Sequence, residues 1–345
     1  MRTFASDNNA PAAPEVLQAL IDANAGDAVS YGGDEWTRRA AARFDDIFGG
    51  GTEALFAFNG TGANVVALSC LTKPYEAVIT PASSHLQTDE CGAFERFTGC
   101  KVLPVAAVNG KIGIDHLRSF AGEPRDEHHV VPRVVSISQS TEYGTLYTPD
   151  ELRELCDFAH GSGWYVHVDG ARIGNAAAAL QTDLKACTRD VGVDVLTFGG
   201  TKNGLLFGEA IVFFNPQLHG GAARFARKQG MQLASKMRYI SAQFLALMEG
   251  QRWLRYALHA NAMAKRLEER LRACGAVQIT RPVQCNAIFA TLPRAAIARL
   301  QEEFFFYVFD ETAAEVRWMT HHATDAADVD AFAAAIMREA GAPAG

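Results

Sequence analysis

Residues able to do covalent chemistry sit in two short stretches. In DVLTFGGTKNGLLFGEAIVFF, residues 194–214, Lys202 lies in a Gly-rich turn between two apolar runs. An amine in such a place is either a surface charge or a reactive nucleophile. In HVDGAR, residues 167–172, an apolar run leads into Asp169, Gly170 and Arg172. Carboxylates at strand C-termini in open α/β sheets face the crevice where ligands bind. Asp169 alone reads equally well as the N-cap of a helix over ARIGNAAAAL. The pairing says more: an acid ends one strand and, 33 residues on, an amine ends another. This meets the needs of pyridoxal 5'-phosphate, which a lysine holds as a Schiff base and whose protonated ring nitrogen a carboxylate keeps as an electron sink. Gly199, Gly200 and Gly204 leave out side-chain bulk around Lys202, room that a planar cofactor needs. FNGTGANV, residues 58–65, reads as a strand, a small-residue turn and a helix start. The backbone N–H groups of Gly60, Thr61 and Gly62 would then cradle a phosphate. The stretch is neither GxxxxGK[ST] nor GxGxxG, which argues against a nicotinamide dehydrogenase.

These residues must be carried by alternating strands and helices. ALFAFNG leads into TGANVVALSCL, RVVSISQS precedes TPDELRELCDFAHGSG, and WYVHVDG precedes ARIGNAAAAL. Such alternation predicts an α/β fold with a mainly parallel central sheet and helices on both faces. DVLTFGG and GEAIVFF lie so close together that an antiparallel pair within that sheet fits them. APEVLQALIDAN is expected to form a helix opened by Pro14 and closed near Gly26, and WTRRAAARFDDIFGG another that ends at the glycines 49–51. From about Met248 the texture changes. EGQRWLRYALHANAMAKRLEERLRACG has helical spacing and is expected to stop at Gly275. Strands over NAIFATL, FFFYVFD and EVRWMTHH follow, then a helix over DAADVDAFAAAIMREAG capped by Thr324 or Asp325. The reading is a large unit over 1–249, N-terminal segment included, and a small one over 250–345.

The 345 residues are 48% hydrophobic and 21% charged, enough for a substantial core, and carry a net charge of -7. No basic patch suited to a phosphodiester backbone stands out, so nucleic acid is not an expected partner. The seven cysteines never occur as CxxC. They read as buried thiols in a reducing compartment, with neither a disulfide framework nor a metal site. No secretory signal and no run of about 18 apolar residues is seen, so a membrane role is not expected and the cytoplasm is the default.

Six stretches occur in order: SDNNAPAAPEVLQALIDANAGDAVSYGGDEWT, NGTGAN, SSHLQTDECGA, HVDGARIGNA, TFGGTKNG and KMRYISAQ. Together they resemble the low-specificity L-threonine aldolases of the fold-type I pyridoxal-phosphate enzymes, within the wider aromatic amino acid β-eliminating lyase/threonine aldolase family. The resemblance implies a mainly parallel seven-stranded sheet in the large domain and a small α/β C-terminal domain. It implies cleavage of L-threonine, L-allo-threonine and related L-3-hydroxy-α-amino acids, phenylserine types included, to glycine and an aldehyde. β-Elimination and transamination on the same scaffold stay open as alternatives. By the same resemblance Lys202 binds the cofactor and Asp169 its ring nitrogen. His85 stacks on the ring face and helps move the substrate hydroxyl proton, and Gln139 bonds the ring hydroxyl. Ser6, Arg172 and Arg317 hold the substrate carboxylate, with Tyr31 bordering the site. Arg238 reaches the phosphate of a neighbouring subunit, in a homotetramer built as a dimer of dimers. One departure stands out. Where several relatives have a histidine after the strand equivalent to VVSISQ, this chain has Thr141 and Glu142, which leaves the general base open.

Overall fold

The computed structural model describes residues 2–122, 126–274 and 277–341. Seven strands form the central sheet: β1 (Glu53–Ala57), β2 (Glu76–Pro81), β3 (Lys101–Val105), β4 (Val131–Ser138), β5 (Tyr165–Gly170), β6 (Val195–Gly199) and β7 (Glu209–Phe213). Their order across the sheet is β1-β7-β6-β5-β4-β2-β3. β7 runs antiparallel to β1 and β6, and all other neighbours are parallel. The mainly parallel sheet expected from the alternation is present, and β6 with β7 form the anticipated antiparallel pair. Every residue of β2, β6 and β7 is buried. Helices cover both faces, so these strands read as continuous apolar runs rather than alternating ones.

Register decides where the chemistry lands. Ser138 stands opposite Asp169, and Asp169 opposite Thr197, so β4, β5 and β6 end level at one edge of the sheet. β7 enters the sheet where β6 leaves it, and its first residue, Glu209, pairs with Gly199. Lys202 sits in the short turn Thr201–Asn203 between them. A Cβ on Gly199 would stand 2.3 Å from the Ala171 carbonyl oxygen, and one on Gly200 2.4 Å from Leu205 Cδ1. The room left by these glycines is filled by protein atoms, not kept for a cofactor as the sequence suggested.

Packing fixes this edge from behind. The helix Glu35–Ile47 starts at Asp34, whose Oδ1 accepts from Thr37 N at 2.7 Å. It carries Phe44, which meets Phe198 of β6 and Phe244 of the helix Arg238–Met248, each edge-on at 5.4 Å. Phe44, Phe198 and Phe244 are fully buried.

A second sheet contains β8 (Gln278–Ile279), β9 (Ala287–Thr291), β10 (Tyr307–Asp310) and β11 (Glu315–Met319), in the antiparallel order β10-β11-β9-β8. Its core holds Trp318, Phe306 and Phe332. The helix Ala326–Ala340 is capped by Asp325, whose Oδ1 accepts from Ala327 N at 2.7 Å. Thr324, the other candidate cap, instead accepts from His321 N. The long helix Arg252–Cys274 gives Trp253 and Tyr256 to the first core and Ala264, Leu267 and Leu271 to the second. Its expected stop at Gly275 lies outside the described residues. The chain start belongs with the second core. Phe4 stacks on Phe332 at 4.2 Å, and Arg2–Thr3 pairs with Phe304–Phe305, although the sequence reading groups residues 1–249 together. Cys91, expected to be buried, is exposed. No described helix is long and apolar enough to cross a membrane.

Candidate active site

The level ends of β4, β5 and β6 open into a cavity of about 940 Å³, closed on its far side by β10 and β11. Of the residues singled out in the sequence, Ser6, Gly60, Thr61, His85, Asp169, Arg172, Lys202 and Arg317 all line it. They come from segments up to 311 residues apart, Ser6 to Arg317. The long-range topology, not local sequence, assembles them.

Two donors hold the Asp169 carboxylate. Asn64 Nδ2 donates to its Oδ2 at 2.8 Å and Ala171 N to its Oδ1 at 2.9 Å. Burial pushes this carboxyl up, but those hydrogen bonds, with the nearby Lys202, leave it below its ordinary value. It is an acceptor poised to stay ionised. His167, two residues before it on the same face of β5, is locked between Ser136 Oγ at 2.9 Å and Thr197 Oγ1 at 3.0 Å. Burial drives it down to about 4, so it stays neutral.

Lys202 is shifted the other way for an amine. The Arg172 charge and then burial lower its pKa, favouring the neutral nucleophile over the ammonium ion. Glu209, buried beside it, accepts from Gly200 N at 2.9 Å, and burial lifts its carboxyl to about 7.

The two arginines play unequal parts. Arg172 donates Nε and Nη2 to Asp7 at 2.7 and 2.9 Å. Asp7 also accepts from Asn286 Nδ2 at 3.1 Å. Burial alone would raise Asp7, but Arg172 and Lys202 hold it down at about 2. Two donors of the Arg172 fork are therefore spent inside the protein. Arg317 keeps a buried Nε with no partner, and burial with the Arg172 charge lowers its pKa. It is the guanidinium with donors to spare.

The helix Gly60–Ser69 points its start at the cavity. Gly62 does not serve as expected. Its N–H is taken by Asn59 Oδ1 at 2.8 Å, and a Cβ on it would lie 2.2 Å from the Gln232 carboxamide. Gly62 is glycine because Gln232 packs there while accepting from Phe58 N at 2.9 Å. The cradle reduces to the N–H groups of Gly60 and Thr61.

Three other expected residues stand away from the cavity. Gln139 is fully buried, and both ends of its carboxamide are spent on the Tyr147 backbone, Nε2 to O at 2.8 Å and N to Oε1 at 3.1 Å. The carboxamide is thereby anchored to the backbone outside the cavity lining. Tyr31 is exposed, with Lys228 Nζ 5.0 Å from its ring centre. Arg238 donates to the Gly26 carbonyl at 2.8 Å and lies over the Tyr239 ring.

Sequence reasoning missed Asp7, Asn64, Glu90 and Glu142. Asn64 Nδ2 also donates to Glu90 Oε1 at 2.8 Å, and that oxygen lies 2.9 Å from His85 Nδ1. Asn64 thereby ties Asp169 to the His85–Glu90 pair. The Glu90 hydrogen bond raises the His85 pKa. Asp7 had a signal, an acid adjoining Ser6 in SDN; Asn64 had one in its place on a helix just after the glycine turn.

Among the described residues, this constellation fits pyridoxal phosphate: a shifted lysine, an ionised acid across the cavity, and free N–H donors at a helix start. A family model described as Beta-eliminating lyase matches residues 3–294. The low specificity L-threonine aldolase of Pseudomonas sp. is 42% identical over 335 residues, 96% of each chain. The solved threonine aldolase of Leishmania major is 30% identical, covers 99% of this chain and 100% of its own, and superposes with a TM-score of 0.93. An aspartate aminotransferase from Rhodobacter sphaeroides, 18% identical with a TM-score of 0.68, covers 98% of this chain and 93% of its own and shares the fold alone. By the family match and by the extent of its likeness to these relatives, the chain belongs to the β-eliminating lyase family and has the fold-type I architecture.

Proposed function

We propose that this chain is a pyridoxal-phosphate-dependent aldehyde-lyase. It cleaves L-threonine, L-allo-threonine and related L-3-hydroxy-α-amino acids, phenylserine types among them, to glycine and an aldehyde. The observation that carries this reading is the pairing of Lys202 and Asp169 across one cavity, in a chain 42% identical to a low specificity L-threonine aldolase over nearly its whole length.

Lys202 would hold the cofactor through its amine, Asp169 would pair with the ring nitrogen, and Gly60 and Thr61 would meet the phosphate. When bound, pyridoxal phosphate supplies a conjugated, protonated ring that draws electron density from the amino-acid Cα. The chain's own residues do the rest. Arg317 takes the substrate carboxylate with its unspent donors, and Arg172, oriented by Asp7, adds its charge. Ser6 borders the same region, its Oγ accepting from Asn8 N. Fixing the carboxylate sets which bond to Cα stands in the reactive orientation, and positioning of this kind supplies much of the rate. The His85 ring, braced by Glu90 at 2.9 Å, would stack on the cofactor ring.

Arg238, partly exposed and outside its own cavity, supports a role at a neighbour's phosphate. Exposed Leu206, Phe225 and Met231 support burial between copies in a dimer of dimers. The free thiols support a reducing, cytoplasmic setting.

Incubation with L-threonine and L-allo-threonine, with products quantified, tests the function. Glycine and acetaldehyde in equal amounts are expected. Ammonia with a 2-oxo acid, and no glycine, would assign β-elimination instead.

A further inference from the structure

Glu142 follows β4 by four residues, and the residues around it form a specific arrangement. Glu142 Oε1 accepts from Ser138 Oγ at 2.5 Å and from His85 N at 2.9 Å. Its Oε2 is buried with no partner. Ser138 is the last residue of β4, stands opposite Asp169 in the register, and lines the cavity together with Glu142. A hydroxyl of the cavity lining is thus backed by a carboxylate with one oxygen covered and unpartnered.

We propose that Ser138 and Glu142 form the proton relay that deprotonates the substrate β-hydroxyl. This rests on the aldolase reading above. The β-hydroxyl proton passes to Ser138 Oγ as the Ser138 proton passes to the Glu142 carboxylate. The O–H electron pair becomes the second bond of the aldehyde carbonyl. The Cα–Cβ pair stays with Cα, where the cofactor withdraws it. As the aldehyde leaves, the Glu142 proton returns through Ser138 to water, which restores the carboxylate, while Cα takes its proton from water by a separate route and completes glycine. Geometry that links a nucleophilic or relaying hydroxyl to an adjacent base recurs where hydroxyl protons must move.

The surroundings favour Glu142 as the acceptor. Burial raises its carboxyl above the ordinary glutamate range, and the Asp169 charge adds to this, while Ser138, the His85 N–H and its own backbone N–H oppose it. Arg172 and the Tyr147 hydroxyl also face it. A buried carboxylate of raised pKa is a stronger base than an ordinary one. The rival, His85, is held toward its protonated form by Glu90, and an imidazolium donates rather than accepts. Glu90 is ruled out on access, since its side chain is fully covered.

Glu142→Gln keeps an oxygen for Ser138 and His85 N, so the fold should persist. The expected result is a loss of about a hundredfold or more in threonine cleavage. Exchange of the glycine α-proton, which needs no β-hydroxyl, should stay within about threefold. Ser138→Ala should lower cleavage similarly, and the double variant should be no worse than the poorer single one, because the pair acts as a unit. The acid limb of kcat/KM should vanish in Glu142→Gln. In cofactor-free protein with carbon-13-labelled glutamate, two carboxyls should titrate above the ordinary range, those of Glu209 and Glu142, and the Glu142 signal should move higher in Ser138→Ala and disappear in Glu142→Gln. Equal loss of cleavage and of glycine exchange would reduce Glu142 to a structural part. Cleavage within about threefold of wild type, additive losses, or no upshifted carboxyl that is lost in Glu142→Gln would each overturn the relay. Wild-type protein that exchanges glycine but cleaves no β-hydroxy amino acid would refute the aldolase reading itself.

Discussion

Lys202 and Asp169 are set against each other by their surroundings: one is pushed toward the neutral amine, the other kept as a carboxylate. Asp169→Ala should lower kcat by orders of magnitude, because an unprotonated ring is a poorer electron sink. A change within about threefold, under 1 kcal/mol, would make Asp169 a mere cap. Asp7 acts at one remove, through Arg172. Asp7→Asn should raise KM for threonine about tenfold or more and lower the melting temperature, since removing one partner leaves the Arg172 charge buried and poorly paired. The pH dependence has a defined sign. Asp7 is depressed from 3.8 to about 2, so its stabilisation is full above 3.8 and fades as pH falls toward 2. Chemical denaturation across that window should show the fading in wild type and lack it in Asp7→Asn. At this scale the sequence revealed the groups that carry covalent chemistry, because lysine and aspartate at strand ends are conspicuous. It did not reveal who restrains them: Asn64, Asp7 and Glu142 are tied to the site by contacts spanning up to 279 residues, as in Asn286 to Asp7.

Elements are where pattern and structure agree best. Buried strands read as apolar runs, helices opened at Pro14 and Asp34, and the β6–β7 pair was visible in the short spacing around Lys202. The glycines were legible as turns but not by cause. Gly62 looked like part of a phosphate cradle, whereas its missing Cβ makes room for Gln232. Gly62→Ala should displace that side chain, free the Phe58 N–H and cost about 1–3 kcal/mol, seen as a fall in unfolding free energy. An unchanged value would mean that Gln232 moves aside freely. Gln139 follows the end of β4 between Ser138 and Ser140, which line the cavity, while its own carboxamide binds the Tyr147 backbone, a choice that no local pattern encodes.

For the whole molecule, the two cores share the helix Arg252–Cys274, and the chain start crosses to the second core through Phe4. Residues at both ends of the chain thereby reach one cavity, Ser6 from the start and Arg317 from β11. If Arg238 completes a neighbour's site, the two inactive variants Lys202→Ala and Arg238→Ala should regain activity when mixed after reversible dissociation. The hybrid then holds one site with both residues intact and one with neither. Hybrids shown by mass to have formed, yet inactive, would confine Arg238 to its own chain. The arrangement as a whole converges on a single amine. Borohydride reduction of the cofactor-loaded protein, followed by peptide mass mapping, tests this most directly. One pyridoxyl group on the peptide bearing Lys202, and none in Lys202→Ala, is the predicted result; a pyridoxyl group on another lysine, with threonine cleavage intact in Lys202→Ala, would contradict it.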